Sequence, residues 1–428
     1  LKAIAVRGRQ RPRLANTEGI HSVARWLAET YQELAWGLSN LGTGVDLPPL
    51  NATGGLPTRN FTQGSFEGAE KISAETVRDT IRVGMDGCYA CPIRCKKVVQ
   101  LEEPYKVDAT YGGPEYETLA ALGSLCGIDD LGAIARGHEL CNAYSLDTIS
   151  VGNVIAFAME CYEKGLLVKE DTGGLELVFG NAKAMLRAIE LIIQRQGIGD
   201  LLAEGVARAA QAIGPAAQEL AMHVKGQELP MHEPRTKHGL ALGYALSPTG
   251  ADHSHSLYDT VYARETPSFQ RIKALGILEP LSEHDLSPAK VRLALYHAYW
   301  SAFFNCAVFC RFLPYNHSQV VEVVNGASGW NSSVWELMKV GERAWNMARA
   351  FNVREGFTSA DDSIPARFAS PFADPRQAAA ITAQVLEKAK LTYYEMAGWE
   401  SLGSPTMAKL QELGIGWVAD TLKQGDKS

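Results

Sequence analysis

Three cysteines, Cys88, Cys91 and Cys95, stand in the pattern C-x2-C-x3-C. A turn or a helix start would put these positions on one side and converge three thiolates on one point. Thiolates at that density select zinc or an iron–sulfur cluster. Structural zinc usually recruits a second nearby knuckle, and none follows, so spacing ranks a cluster above zinc and zinc above no metal. The fourth ligand must come from far along the chain, which iron–sulfur proteins tolerate, and Cys306 and Cys310 are the candidates. Cys126, Cys141 and Cys161 sit on apolar helical faces and read as small core residues. Two further groups could move protons. Glu115 and Glu117 follow a Gly-Gly-Pro turn and precede an apolar helix, where charge at the helix N terminus is the plain reading and acid–base work the sharper one. His253 and His255 alternate in Gly250–His255, a pattern that suits metal ligation, proton relay or a solvated loop.

The elements that must position these groups read mostly as helix. Apolar residues recur at three- and four-residue steps over Thr118–Cys141 and Val151–Leu167, and further helices are expected at Ala182–Gln194, Pro288–Phe304, Ser333–Phe351 and Pro375–Ala397. Strand signals are short, the best being Ala3–Val6 and Lys97–Val99. Two loop-rich stretches, Leu41–Phe66 and Gln227–Ser287, punctuate the pattern, the second long enough to favour a functional or lid role. The fold class is therefore mainly α, and a boundary near residue 220 would give two helical domains, 1–220 and 221–428.

Composition bounds the function. The chain has 428 residues, 46% hydrophobic and 21% charged, with 15 Tyr and 8 Trp, which excludes disorder. Its net charge of −7 argues against nucleic acid as the main ligand. No apolar run approaches the roughly 18 residues of a spanning helix. Eight Cys are too sparse for a secreted disulfide scaffold, so the cytoplasm is the expected compartment. The chain begins at Leu1 with no signal-peptide pattern, as a processed protein or a piece of a longer one would.

Taken in order along the chain, the motifs resemble the tungsten-pterin aldehyde ferredoxin oxidoreductases. The resemblance is carried by Leu1–Gly8, Leu56–Phe61, Cys88–Cys95, Gly113–Thr118, Leu146–Ser150, Gly250–His253, Gly341–Arg343, Arg349–Gly356, Tyr393-Tyr394 and Gly398-Trp399. It covers the family's two mainly helical C-terminal domains; the N-terminal β-rich base domain is expected to be missing except for its last strand at Leu1–Gly8. The resemblance implies a [4Fe-4S] cluster held by Cys88, Cys91, Cys95 and Cys310, which chooses Cys310 over Cys306. It implies a tungsten (or molybdenum) bis-pterin bound through two motifs, Asn142–Asp147 and Asn305–Cys310, with Asn142, Leu146, Asp147, Asn305 and Phe309 as the contacting positions. Both motifs depart from the family pattern, since Asn replaces each leading Asp and Ser145 and Val308 replace glycines, which marks a divergent member. The implied catalytic pair is Glu117, whose carboxylate would activate water or an aldehyde hydrate, and His253, which would donate a proton or polarise the carbonyl, with Glu115 in reserve. Burial beside an apolar helix is expected to raise the Glu117 pKa toward the working pH. The implied activity is oxidation of small-molecule aldehydes to carboxylic acids, with electrons leaving through the cluster to ferredoxin or a similar carrier. The alternatives are reduction of carboxylic acids or aromatic acyl thioesters, or a non-catalytic iron–sulfur scaffold subunit. A homodimer is admitted among the partners, although no bridging metal-ligand pair is found in this sequence.

Overall fold

The computed structural model describes residues 4–372 and 379–425. Its first element of consequence is a hairpin, β1 (Arg82–Asp86) and β2 (Lys96–Val99), paired antiparallel with Asp86 opposite Lys96 and a bulge between Arg82 and Gly84. The cysteine loop 87–95 is the connection of this hairpin, not a helix start, and Ala90 (φ 56°) and Arg94 (φ 51°) adopt left-handed backbone to fold it back. Residues 4–6 form no strand. A strand needs a partner, none among the described residues pairs with them, and Ile4 and Val6 are exposed. Ala3 lies outside the described residues.

Helices make up most of the rest, as the apolar periodicity predicts. Those that frame the site are α1 (Tyr116–Leu122), α2 (Leu131–Ala143), α3 (Thr148–Glu163), α4 (Ala182–Gln194), α5 (His238–Leu246), α6 (Pro288–Ala307), α7 (Val334–Arg354) and α8 (Ala383–Ala397). The stretch Thr118–Cys141, expected as one helix, is two. Gly127 takes a left-handed φ of 69° between them, and Asp130 restarts the helix by accepting from Ala133 N at 3.0 Å. The helix expected at Pro375–Ala397 begins at Ala383, where Thr382 caps it; residues 375–378 lie outside the described residues. The two expected loops also contain helix. Leu47–Ala52 forms one turn inside the first, and the buried α5 crosses the second. Every residue of α5 except Gly243 is buried, so it has no polar face and no periodicity to betray it.

Two main hydrophobic cores hold these elements. The first draws on residues 47–251 with Phe368, the second on residues 241–399. In the second, α6 and α7 cross so closely that a Cβ on Gly341 would sit 1.8 Å from Tyr299 O. Buried ion pairs tie late segments to early ones. Arg367 meets Glu160 of α3 at 2.8 Å, and Asp362 takes both Arg349 and Lys225 at 2.8 Å. Among the described residues no helix is long and apolar enough to cross a membrane.

Candidate active site

The N terminus of α1 is the hub of the site. Glu115, its cap position, turns toward the cysteine hairpin: it accepts from Thr43 Oγ1 and pairs with the buried Lys97 of β2 at 3.1 Å. Glu117, one position inside the helix, turns the other way. Its Oε2 accepts from Met231 N at 2.7 Å, and its Oε1 lies 3.1 Å from His232 Nε2 and 3.7 Å from His253 Nε2. The ring nitrogens of His232 and His253 and the carboxylate oxygen of Glu117 all fall within 4.8 Å of one another. The two carboxylates therefore serve different neighbourhoods, as their spacing along the helix start requires.

The electrostatics of Glu117 correct the sequence expectation. Burial pushes its carboxyl up, but His253, the hydrogen bond and charge of His232, and the Met231 N–H outweigh it and hold the pKa down at about 2. Burial likewise lowers His232 to about 4, against the opposing pull of Glu117, so at neutral pH a carboxylate faces a neutral imidazole. His232 Nε2 also lies 3.1 Å from Tyr258 Oη, while its Nδ1 is buried without a hydrogen-bond partner. His253 is the most open of the three, with 31% of its side chain exposed.

His253 and His255 are fixed by their own loop. Asp252 accepts from Ser254 N and from His255 Nδ1, and Arg311 donates to the carbonyls of His253 and Ser254. On its other nitrogen His255 receives the amide of Asn305 at 2.8 Å, which links the loop to the end of α6. His255 thus braces the site without entering the Glu117 cluster.

Cys88, Cys91 and Cys95 lie on the hairpin loop that leads into β2, whose Lys97 pairs with Glu115. All eight in the chain are free. Burial, Glu115, Cys310 and Cys91 together push the Cys95 thiol up, which places Cys91 and Cys310 within its electrostatic reach. A set of free thiols on one hairpin loop, joined by Cys310 from beyond α6, fits a thiolate-bound iron–sulfur cluster. The other implied contact positions lie nearby. Asn142, exposed at the end of α2, donates to His138 O at 3.0 Å, and His138 feels Glu115 and Lys97. Asp147 is occupied as the cap of α3, accepting from Ile149 N and Ser150 Oγ at 3.1 Å, and Leu146 packs half-buried against the first core. Asn305 is exposed, and Phe309 packs against Phe304 with the rings tilted by 43° and their centroids 5.4 Å apart. Ser145 (φ 57°) and Val308 (φ 58°) occupy the left-handed conformation in which a glycine would be at ease. Exposed amides beside two such turns fit the polar edge of a pterin.

Sequence reasoning did not single out His232, Lys237 or Tyr258. His232 sits in Pro230-Met231-His232-Glu233-Pro234, and a lone histidine between prolines carries no spacing signal.

A mainly helical body that gathers thiols on one side of a helix start and an acid–base cluster on the other has the build of an oxidoreductase. Residues 21–415 match the family model for aldehyde ferredoxin oxidoreductase, domains 2 and 3, and the chain belongs to this family. Among its relatives is a tungsten-containing aldehyde ferredoxin oxidoreductase of Pyrococcus horikoshii, 34% identical over 97% of this chain and 67% of the relative. Another is an aliphatic sulfonate oxidoreductase, WOR-like subunit, of Pyrococcus furiosus, 29% identical over 92% of this chain and 60% of the relative. The fold is shared with the active site complex BamBC of benzoyl coenzyme A reductase, at a TM-score of 0.70 and 22% identity, covering 99% of this chain and 69% of that one. The chain thus spans about two thirds of the length of the proteins it matches.

Proposed function

We propose that the chain forms the helical part of a tungsten (or molybdenum) pterin enzyme that oxidises aldehydes to carboxylic acids and passes the electrons to ferredoxin or a similar carrier. The observation that carries this reading is the Glu117–His232–His253 cluster, set on the same helix start whose other carboxylate faces the cysteine loop. When bound, the pterin-held metal would supply two-electron redox chemistry and the cluster one-electron transfer. Cys88, Cys91, Cys95 and Cys310 hold the cluster, while the turns at Asn142–Asp147 and Asn305–Cys310 receive the pterins. Conversion of an aldehyde and water to an acid releases two protons with the two electrons, and the chain's own residues handle those protons. With a pKa of about 2, Glu117 is a weak base and stays ionised. Its role is to orient His253 and stabilise the imidazolium as His253 takes a proton from water or the aldehyde hydrate. His232, neutral, lies 3.1 Å from the same Glu117 oxygen that His253 approaches, an oxygen that is itself buried.

Metal analysis of the purified protein together with viologen-linked assays over a panel of aldehydes tests this. Iron, sulfide and tungsten or molybdenum are expected, with dye reduction that depends on aldehyde. Zinc without iron would sink the reading, and dye-driven reduction of acids or acyl thioesters with no aldehyde oxidised would replace it by the reverse task.

A further inference from the structure

Among the described residues, Lys237 is a buried cation with no hydrogen-bond partner. It is 1% exposed, and its ammonium makes no hydrogen bond, although burying an ammonium costs several kcal/mol unless it is paired. The carboxylates whose fields it feels are committed elsewhere. Glu233 binds Arg235 at 2.7 Å, Asp259 binds Lys290 and the N–H groups of Gly239 and Leu240, and Glu117 serves the histidines. Asp46 shares a cavity with Lys237, and each is felt by the other without a hydrogen bond between them. This cavity of 620 Å³ is lined deep inside by His232, Lys237 and Tyr258, and further out by Arg264, Glu283 and His284. Its size is that of a site for a small molecule. His232 is common to the cavity and to the Glu117 cluster, so whatever fills the cavity touches the proposed reaction centre.

We propose that Lys237 is the anion-binding residue of the substrate site, where its ammonium takes a carboxylate or sulfonate carried by a small substrate whose reacting carbon lies toward His253. In calling the ligand a substrate the proposal rests on the function given above; the anion site itself does not. An oxyanion supplies the hydrogen bonds that Lys237 lacks and relieves the cost of its burial. Tyr258 stands beside it as a further donor. Burial holds the Lys237 pKa down at about 8, so an anion arriving at slightly alkaline pH must draw a proton onto the amine. Discrimination follows from the same chemistry, because a neutral molecule of equal length leaves the buried ammonium unpaired.

Isothermal titration of the holoprotein with propionate, propane-1-sulfonate and 1-propanol, at about pH 8.5 in buffers of different ionisation heat, reads binding and proton uptake together. At least one anion is expected to bind with proton uptake and the alcohol not to bind; preference for propionate or for the sulfonate assigns the group. Lys237→Met should weaken the anion by about tenfold or more and abolish proton uptake, while Lys237→Arg should retain binding without uptake. Asp46→Asn, which removes the opposing charge and leaves Lys237 in place, should tighten it. Equal binding of 1-propanol, no binding of either anion, or undiminished affinity in Lys237→Met would each overturn the proposal. Failure of aldehyde oxidation with anion binding intact would strike the reaction and leave the anion site standing.

Discussion

At the scale of single residues, the site divides its labour between carboxylates two positions apart. Glu115 belongs to Lys97 and the cysteine hairpin, Glu117 to the histidines. Replacing Glu117 by Gln keeps the shape and removes the charge that holds His253 ready. The expected loss in kcat/KM is roughly 10²–10⁴, measured with a viologen dye, at unchanged metal content. A variant that keeps nearly full rate would show that His253 acts without it. The cysteines make a separable claim. Cys310→Ala should lose iron and visible absorbance, whereas Cys306→Ala should keep both, because Cys310 belongs to the proposed ligand set and acts electrostatically on Cys95. Retention of a full cluster in Cys310→Ala would remove that residue from the ligand set. Residue types and spacing make the hairpin cysteines and the Glu115–Glu117 pair legible in the sequence. His232 and Lys237 are not, since their meaning lies in contacts between segments: one meets a carboxylate of α1, the other has no hydrogen-bond partner among the described residues.

At the scale of elements, the site depends on how closely α6 and α7 meet. Gly341 lets the two helices touch backbone to backbone, and α6 leads directly into the Asn305–Cys310 turn. A methyl at Gly341 would lie 1.8 Å from Tyr299 O, where no flexible side-chain end can yield, so the helices must part. Gly341→Ala is therefore expected to destabilise the protein by about 1–3 kcal/mol or more, seen as a lower Tm, and, with Cys310 as the proposed fourth ligand, to lower the iron content. An unchanged Tm would mean that α6 can slide along α7 without cost. The long helices are readable because their apolar faces repeat at helical spacing, and caps such as Ser287, Ser333 and Thr382 mark their starts. Two kinds of element escape that reading. The break between α1 and α2 is hidden because the apolar repeat continues across Gly127, and α5 is hidden because a nine-residue helix buried all round offers no polar face.

At the scale of the whole molecule, the buried histidines predict how stability responds to acid. His232 is lowered to about 4 by burial despite Glu117, and His297 to about 3 by burial and Arg311. Both start from 6.5 in the unfolded chain, so below that pH the unfolded state binds protons that the folded state refuses. The sign follows: stability is full above about pH 6.5 and falls as the pH drops toward the folded pKa values. Glu117 adds a second step in the same direction. Its folded pKa of about 2 lies below the ordinary 4.5, so its contribution is present above pH 4.5 and is lost as the pH falls through about 2. Between pH 6.5 and 4 each histidine withholds about one proton, a loss of up to about 3 kcal/mol apiece at the acid end. His297 lies 3.2 Å from His255 O through its Nδ1, so Gln in its place can keep a donor there and remove the titration. The wild-type Tm should therefore fall steeply from pH 6.5 to 4, and that of His297→Gln should fall less over the same range. Equal slopes for the two proteins would show that His297 is protonated in the fold and that Arg311 does not keep it neutral.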